Sequence, residues 1–331
     1  MYRLAADVFN DAAIVLDCVS PALPKLARVG VLSLASVLRA LCGVAAGSSK
    51  ASLSAHFAKW GNLGELNAKD SSQETIISLM GMLAGSVVVS YVSSPMAVWS
   101  WLVLLLSIHL ATNRAAVQAV SMHTLNRQRA NIVLSHLVED DVVLRPKDVS
   151  KSERIFEWDG VLRWKASAVL GSARIGVQLR EVIASTAGYD SRPGSIHPRP
   201  GARVDMDELA RVYHQEQYLL WCDQTRNRVL IVLKEGATPV SQLKAWMQAL
   251  LTVRYFTQRA RAALGREPKV PDDDNDAGAA AIVGILRDQL RAVDKDFDGF
   301  VARLREAGWD VDAAALETRS GWRVCISPGP S

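Results

Sequence analysis

Between Glu74 and Arg114 the chain contains no Asp, Glu, Lys or Arg. So long a stretch without charge is neither an ordinary solvated surface nor a disordered linker, both of which need polar groups to stay in water. Cysteine is scarce too: four residues, at 18, 42, 222 and 325, with no CxxC and no regular spacing. This excludes a disulfide framework and a cysteine zinc site, and it points to a reducing compartment for the soluble part. No GxSxG, P-loop, GxGxxG or HExxH occurs, and the six histidines are scattered. No enzyme class with a local signature is indicated, and the expected cofactor and metal content is none. The net charge of +4 is too small an excess to point to nucleic acid. MYRLAADVFNDAAIVLD carries acids and reads as an amphipathic helix over residues 2–17, not as a signal or transit peptide.

What is present is apolar, and it is concentrated in the first third. Residues Ile76–Thr112 read ISLMGMLAGSVVVSYV, break at SSP and resume MAVWSWLVLLLSIHLAT. A bilayer core takes roughly 20 apolar residues per helix, so the length predicts two helices, Ile76–Val92 and Met96–Thr112. Pro95 breaks them apart because it lacks an amide donor and disfavours helix before it. The alternative is a pair of buried core helices. A third run, Val29–Gly47, holds Arg39 at its middle; either it spans with Arg39 facing protein, or it is buried or interfacial. Gly43 and Gly47, and Gly81 and Gly85, are pairs spaced for close helix packing. His109 in the second apolar helix is either a packing histidine or a polar pathway residue. The polar connector Ser48–Glu74 ends in a capping box, Ser71 with Glu74. Lys50, Lys59, Lys69, Arg114, Arg127 and Arg129 flank the uncharged run, which puts the remainder of the chain on the cytoplasm-equivalent side.

Arg114–Asp141 reads as one continuing basic helix, and from Arg145 the chain reads as soluble. Expected there are one helix after Val161, a loop at 185–205, strands Tyr218–Cys222 and Arg228–Leu233, and a helix Pro239–Leu264 opening on Pro. Next come an acidic linker at 266–278, helices Ala279–Val293 and Phe297–Ala307, and a strand Trp322–Ile326. The fold class is therefore mainly α: a helical, membrane-associated N-terminal half (1–144) and a small α+β C-terminal domain (145–331). DKDFDGF at 294–300 matches the opening of a calcium loop, but position 12 is Arg305 instead of a bidentate Glu, so it reads as an acidic helix-capping turn.

Several stretches together resemble the root UVB sensitive family, also described as a vitamin B6 photoprotection and homeostasis domain. They are SPALP at 20–24, RALCGVAAGSSKASLSAHFA at 39–58, NAKDSSQET at 67–75, LNRQR at 125–129, YLLW, LKAWMQALL and the closing FVARLREAGWDVDAAALE…WR. The resemblance implies a membrane or organelle protein linked to ultraviolet-B response, early seedling growth, auxin transport and vitamin B6 balance, with no established catalysis. It also implies an N-terminally shortened member, since the family has a Gly-rich apolar region before the part resembling ADVFNDAAIVLD. Such a form is expected to be less stable than a longer one.

The functional expectation is a non-enzymatic membrane scaffold or homeostasis component, with the membrane and a family member or other protein as partners. The alternative is a transporter or binder of a small anionic ligand such as a B6 phosphate. Its ligand residues would be Arg39, Lys50, Lys69, Ser72 and Gln73, in and around the polar NAKDSSQET turn.

Overall fold

The computed structural model describes residues 2–58, 62–165, 167–186, 206–224, 226–263, 275–317 and 321–325. The chain divides into two compact units, Met1–Met122 with Arg154–Phe156, and His123–Glu153 with Glu157–Ser331.

The first unit is all helix: α1 (Tyr2–Val19), a 3-10 turn at Ser20–Ala22, α2 (Lys25–Phe57), α3 (Leu63–Tyr91) and α4 (Pro95–Ala119). α1 packs against α2 and α4, and its stripe of Leu4, Ala5, Ala6 and Ala13 is buried. Phe9 meets Phe156 at 5.6 Å between ring centres. α2, α3 and α4 are each long and apolar enough to cross a membrane, and only 6%, 0% and 0% of their most apolar windows are buried. They carry Leu26, Val89, Tyr91, Met96 and Val103 on open surface. Ser94 caps α4 by accepting from the Ala97 amide, with Pro95 in the first turn, where its missing donor is harmless. Within α3 and α4 the hydroxyls of Ser86, Ser90, Ser100 and Ser107 donate to carbonyls one turn back in their own helix.

The capping box at Ser71 and Glu74 does not form. α3 starts well before it, at Leu63, and the Thr75 hydroxyl bonds the Ser71 carbonyl inside it. The polar sequence Glu65–Glu74 is itself a good helix former, and Glu65 with Lys69 makes an i,i+4 pair at 2.7 Å.

The second unit contains α5 (Arg127–Asp140), α6 (Pro146–Ser152), β1 (Val161–Trp164), β2 (Ala168–Ile175), α7 (Leu179–Thr186), α8 (Met206–Val212), β3 (Tyr218–Asp223), β4 (Arg228–Lys234), α9 (Pro239–Ala263), α10 (Asn275–Glu306) and β5 (Arg323–Val324). The strand order is β1-β2-β4-β3, with β5 also on β4. β1 with β2 and β3 with β4 are antiparallel; β2 and β5 both run parallel to β4. Because β3 occupies the whole of one edge of β4, β2 and β5 share the other, along Arg228–Ile231 and Leu233–Lys234 respectively. Val229 to Leu233 are wholly buried, an unbroken apolar run as expected for a strand covered on both faces. α9 runs against all four longer strands, and α5 and α10 pack against α9. Inside, Gln248 on α9 accepts from the Tyr218 hydroxyl at 2.9 Å and donates to Tyr213 at 2.8 Å and to the Leu286 carbonyl at 3.0 Å. A buried amide is thereby fully engaged.

Further expectations from the sequence are amended by the fold. The helix expected after Val161 is α7, but a hairpin of β1 and β2, opening at Val161, comes before it. Arg114–Asp141 is interrupted, with α4 ending at Ala119 and α5 starting at Arg127 behind the cap Asn126, whose side chain accepts from the Arg129 amide. α10 is one continuous helix through DKDFDGF. Most of the loop expected at 185–205 and of the linker expected at 266–278 lies outside the described residues, although Ser185 belongs to α7 and residues 275–278 to α10.

Candidate functional site

The basic residues expected as ligands, Arg39, Lys50 and Lys69, all lie in the first unit, and each meets a carboxylate. Lys50 on α2 sits between Asp70 at 2.8 Å and Glu74 at 2.7 Å on α3. One turn on, the Ser54 hydroxyl donates to Asn67 Oδ1 at 2.7 Å. Asn67, Asp70 and Glu74 recur at the three- and four-residue spacing of one helix face, so NAKDSSQET and KASLS close a polar clasp between α2 and α3. Lys69 pairs with Glu65, and the Ser72 hydroxyl bonds the Ala68 carbonyl at 2.8 Å. Gln73 is exposed. Arg39 lies eleven residues before Lys50, roughly 16 Å along the helix, and pairs with Asp17 of α1. The site is thus a cluster of ion pairs in which acids outnumber bases. Ser54, Asn67 and Asp70 were missed in the sequence, where their i,i+3 and i,i+4 spacing was the available signal. A Cβ built on Gly43, Gly47, Gly81 or Gly85 meets nothing within 4 Å; their faces are open.

A second polar group lies where α1 meets α4. Asp11 is 5% exposed, and its Oδ2 stands 3.1 Å from His109 Nδ1. Its Oδ1, and Oδ2 of Asp7 one turn earlier, are buried with no hydrogen-bond partner. Burial pushes the Asp7 carboxyl up and the Asp11 charge adds to this, against the opposing pull of His109 and Arg3. The sequence showed His109 as a lone histidine; its partner is 98 positions away.

In the second unit the LNRQR stretch has a structural role. Leu125 is core and Asn126 caps α5. Arg127 donates to the Leu316 carbonyl at 2.8 Å, pairs with Asp159 and lies over the Trp246 ring. Arg129 grips both oxygens of Glu153, at 2.6 and 3.2 Å, and also the Thr124 carbonyl. The closing pattern is core as well: Phe297 and Leu304 are buried, Gly308 at φ +92° ends the α10 segment, and Trp309 donates to the Leu144 carbonyl at 2.8 Å. DKDFDGF is helical, so Asp294, Asp296 and Asp298 fan around the axis, and Asp294 pairs with Lys244 at 2.6 Å. Among the described residues no group of three His, Cys, Asp or Glu side chains is arranged to hold a metal ion.

Residues 1–141 match the vitamin B6 photo-protection and homoeostasis domain, and residues 142–326 match the root UVB sensitive protein C-terminal domain. Protein root UVB sensitive 3 of Arabidopsis thaliana is 27% identical over 97% of this chain and 66% of its own length. Protein root UVB sensitive 2, chloroplastic, of the same plant is 24% identical over 97% of this chain and 64% of its own. RUS family member 1 of Dictyostelium discoideum is 35% identical over 46% of this chain and 30% of its own. The chain thus spans at most about two-thirds of the length of these curated relatives. No solved structure matches it. With adjoining family matches running from residue 1 to residue 326, the chain belongs to the root UVB sensitive family.

Proposed function

We propose that this chain is a non-enzymatic, three-span membrane component of the root UVB sensitive type, acting as a scaffold or homeostasis factor in a process tied to vitamin B6 and ultraviolet-B response. The observation that carries the reading is the open apolar surface of α2, α3 and α4. Contiguous apolar surface on this scale is not kept in water by a soluble monomer, and each helix is long enough for a bilayer core. Lys50, Lys69 and Arg114 lie toward one end of the spans, which favours the cytoplasm-equivalent side for the second unit. One relative carries the word chloroplastic in its name, and an organelle membrane is a natural setting.

The test is flotation of the expressed chain with vesicles after a carbonate wash, then protease added outside sealed vesicles. The chain should float, the second unit should be cut from the cytoplasm-equivalent side, and the turn at Ser93–Pro95 should survive. A chain that stays in the aqueous fraction refutes the membrane reading. The anion-binding alternative rests on Arg39, Lys50, Lys69 and the polar NAKDSSQET stretch beside apolar helices; it requires pyridoxal phosphate to displace Glu65, Asp70 and Glu74, and saturable binding lost in Lys50→Ala would support it.

A further inference from the structure

We propose that Asp7, Asp11 and His109 form a proton-binding site between α1 and α4, whose occupant is one exchangeable proton held among two carboxylates and an imidazole. Asp11 is removed from solvent, and one of its oxygens faces His109 while the other has no donor. Asp7 stands one helical turn away on the same stripe with a second buried oxygen lacking a donor. A buried carboxylate oxygen without a donor is costly, and a protonated carboxyl supplies the missing O–H itself. The other charged groups of the packed helices leave the need in place. Arg3 on α1 pulls the Asp7 carboxyl down, but by less than burial pushes it up. On α2, Arg39 is engaged by Asp17, and Arg28 donates to the carbonyls of Ser20, Pro21 and Leu23. Among the described residues these three side chains are not arranged to hold a metal ion.

The chemistry is uptake of H+ from water onto a carboxylate oxygen. Uptake makes the cluster more positive by one charge, and release of the proton restores it. A group of this kind inside apolar helices is where a proton pathway is built. That meaning rests on the membrane reading above, whereas the proton binding itself does not.

The experiment is infrared difference titration of the full chain in phosphatidylcholine–phosphatidylglycerol vesicles, with flotation run on the same sample. Wild type should show a carboxylic-acid C=O band that persists above the ordinary aspartic range of about 3.9. Asp7→Asn should lose it. Asp11→Asn should lower its midpoint by about one pH unit, by removing a like charge, and His109→Leu should raise it by about as much. Shifts of opposite sign mark one coupled site. If wild type shows no such band, or the Asp11→Asn and His109→Leu titrations coincide with wild type, the site is refuted, and the first outcome needs no variant to fold. A chain that fails to float sinks the membrane reading, while the same titration is then read on the aqueous chain.

Discussion

Asp17 of α1 closes an ion pair with Arg39, 22 positions away in the middle of α2's apolar run. An Arg placed there is tolerated when a partner comes with it. The pair explains how one charge can interrupt a run that otherwise reads as a span.

Removing either partner should therefore do more harm than removing both. Arg39→Leu leaves Asp17 unmatched, and Asp17→Asn leaves Arg39 unmatched, so each should lower detergent-extracted yield severalfold. The double variant Asp17→Asn/Arg39→Leu should recover much of that loss. Yields that fall additively would show that the two side chains act independently.

Arg129 and Glu153 are both nearly enclosed in the second unit, with side chains 9% and 6% exposed. Glu153→Gln should destabilise by about 3–5 kcal/mol, the usual result of leaving one charge of a buried pair unmatched. Thermal unfolding of the full chain, monitored by tryptophan fluorescence, reads this directly. A surface control such as Lys151→Ala, whose pair with Asp148 is exposed, should cost less than about 1 kcal/mol.

Burial pushes the Cys222 thiol up to about 12, with a smaller contribution from Asp223, and burial likewise raises Tyr213 and Tyr218. The thiol's ordinary value is 9.0 and its folded value lies higher. Its contribution to stability is therefore fully present below pH 9.0 and is lost as pH rises toward about 12. Alkaline unfolding should be shallower in Cys222→Ala. At mildly alkaline pH a thiol reagent should label Cys325 in the native chain and reach Cys222 only after unfolding.

Where β5 returns to the sheet, Gly176 and Gly321 come together under Glu317. A Cβ on Gly321 would collide with Glu317 Oε1 and lie 3.0 Å from the Gly176 backbone. Gly321→Ala should cost about 1–3 kcal/mol, because backbone cannot yield as a flexible side chain can. Arg323 holds the Glu317 carboxyl below its ordinary value, so this stabilisation is present above the unfolded value of 4.5 and is lost as pH falls through the lower folded one. Glu317→Gln should flatten the acid limb of the stability curve; an unchanged limb would remove Glu317 from the account.

The features legible in the sequence were those with a strong period or an absence of charge. The uncharged run split at Pro95 is seen as the end of α3 and the start of α4, and the Val229–Leu233 run is the central strand. The β1–β2 hairpin was hidden because Ala168, Gly171, Ser172 and Ala173 have little strand preference, and a register shift falls between Leu162 and Arg163. Burial of Leu162, Leu170, Ala173 and Ile175 decides the matter there. In α10 the local breaker Asp296–Gly299 is overruled by the buried stripe of Val283, Leu286, Leu290, Val293, Phe297, Val301 and Leu304. The Asp7–Asp11–His109 cluster and the Asp17–Arg39 pair join residues far apart in sequence, and no local pattern announces such a meeting.

Ser86 and Ser90 of α3 and Ser100 and Ser107 of α4 spend their hydroxyls on their own backbones. A hydroxyl so occupied has no donor left to read the azimuth of a neighbouring helix. Around Ser86 and Ser90, α3 therefore has no serine donor to lock its rotation, and the open faces at Gly81 and Gly85 leave its facing to be set by shape alone. Polar substitutions on α3 that free a donor should act as rotational markers, drawing one chosen face toward whatever lies beside it.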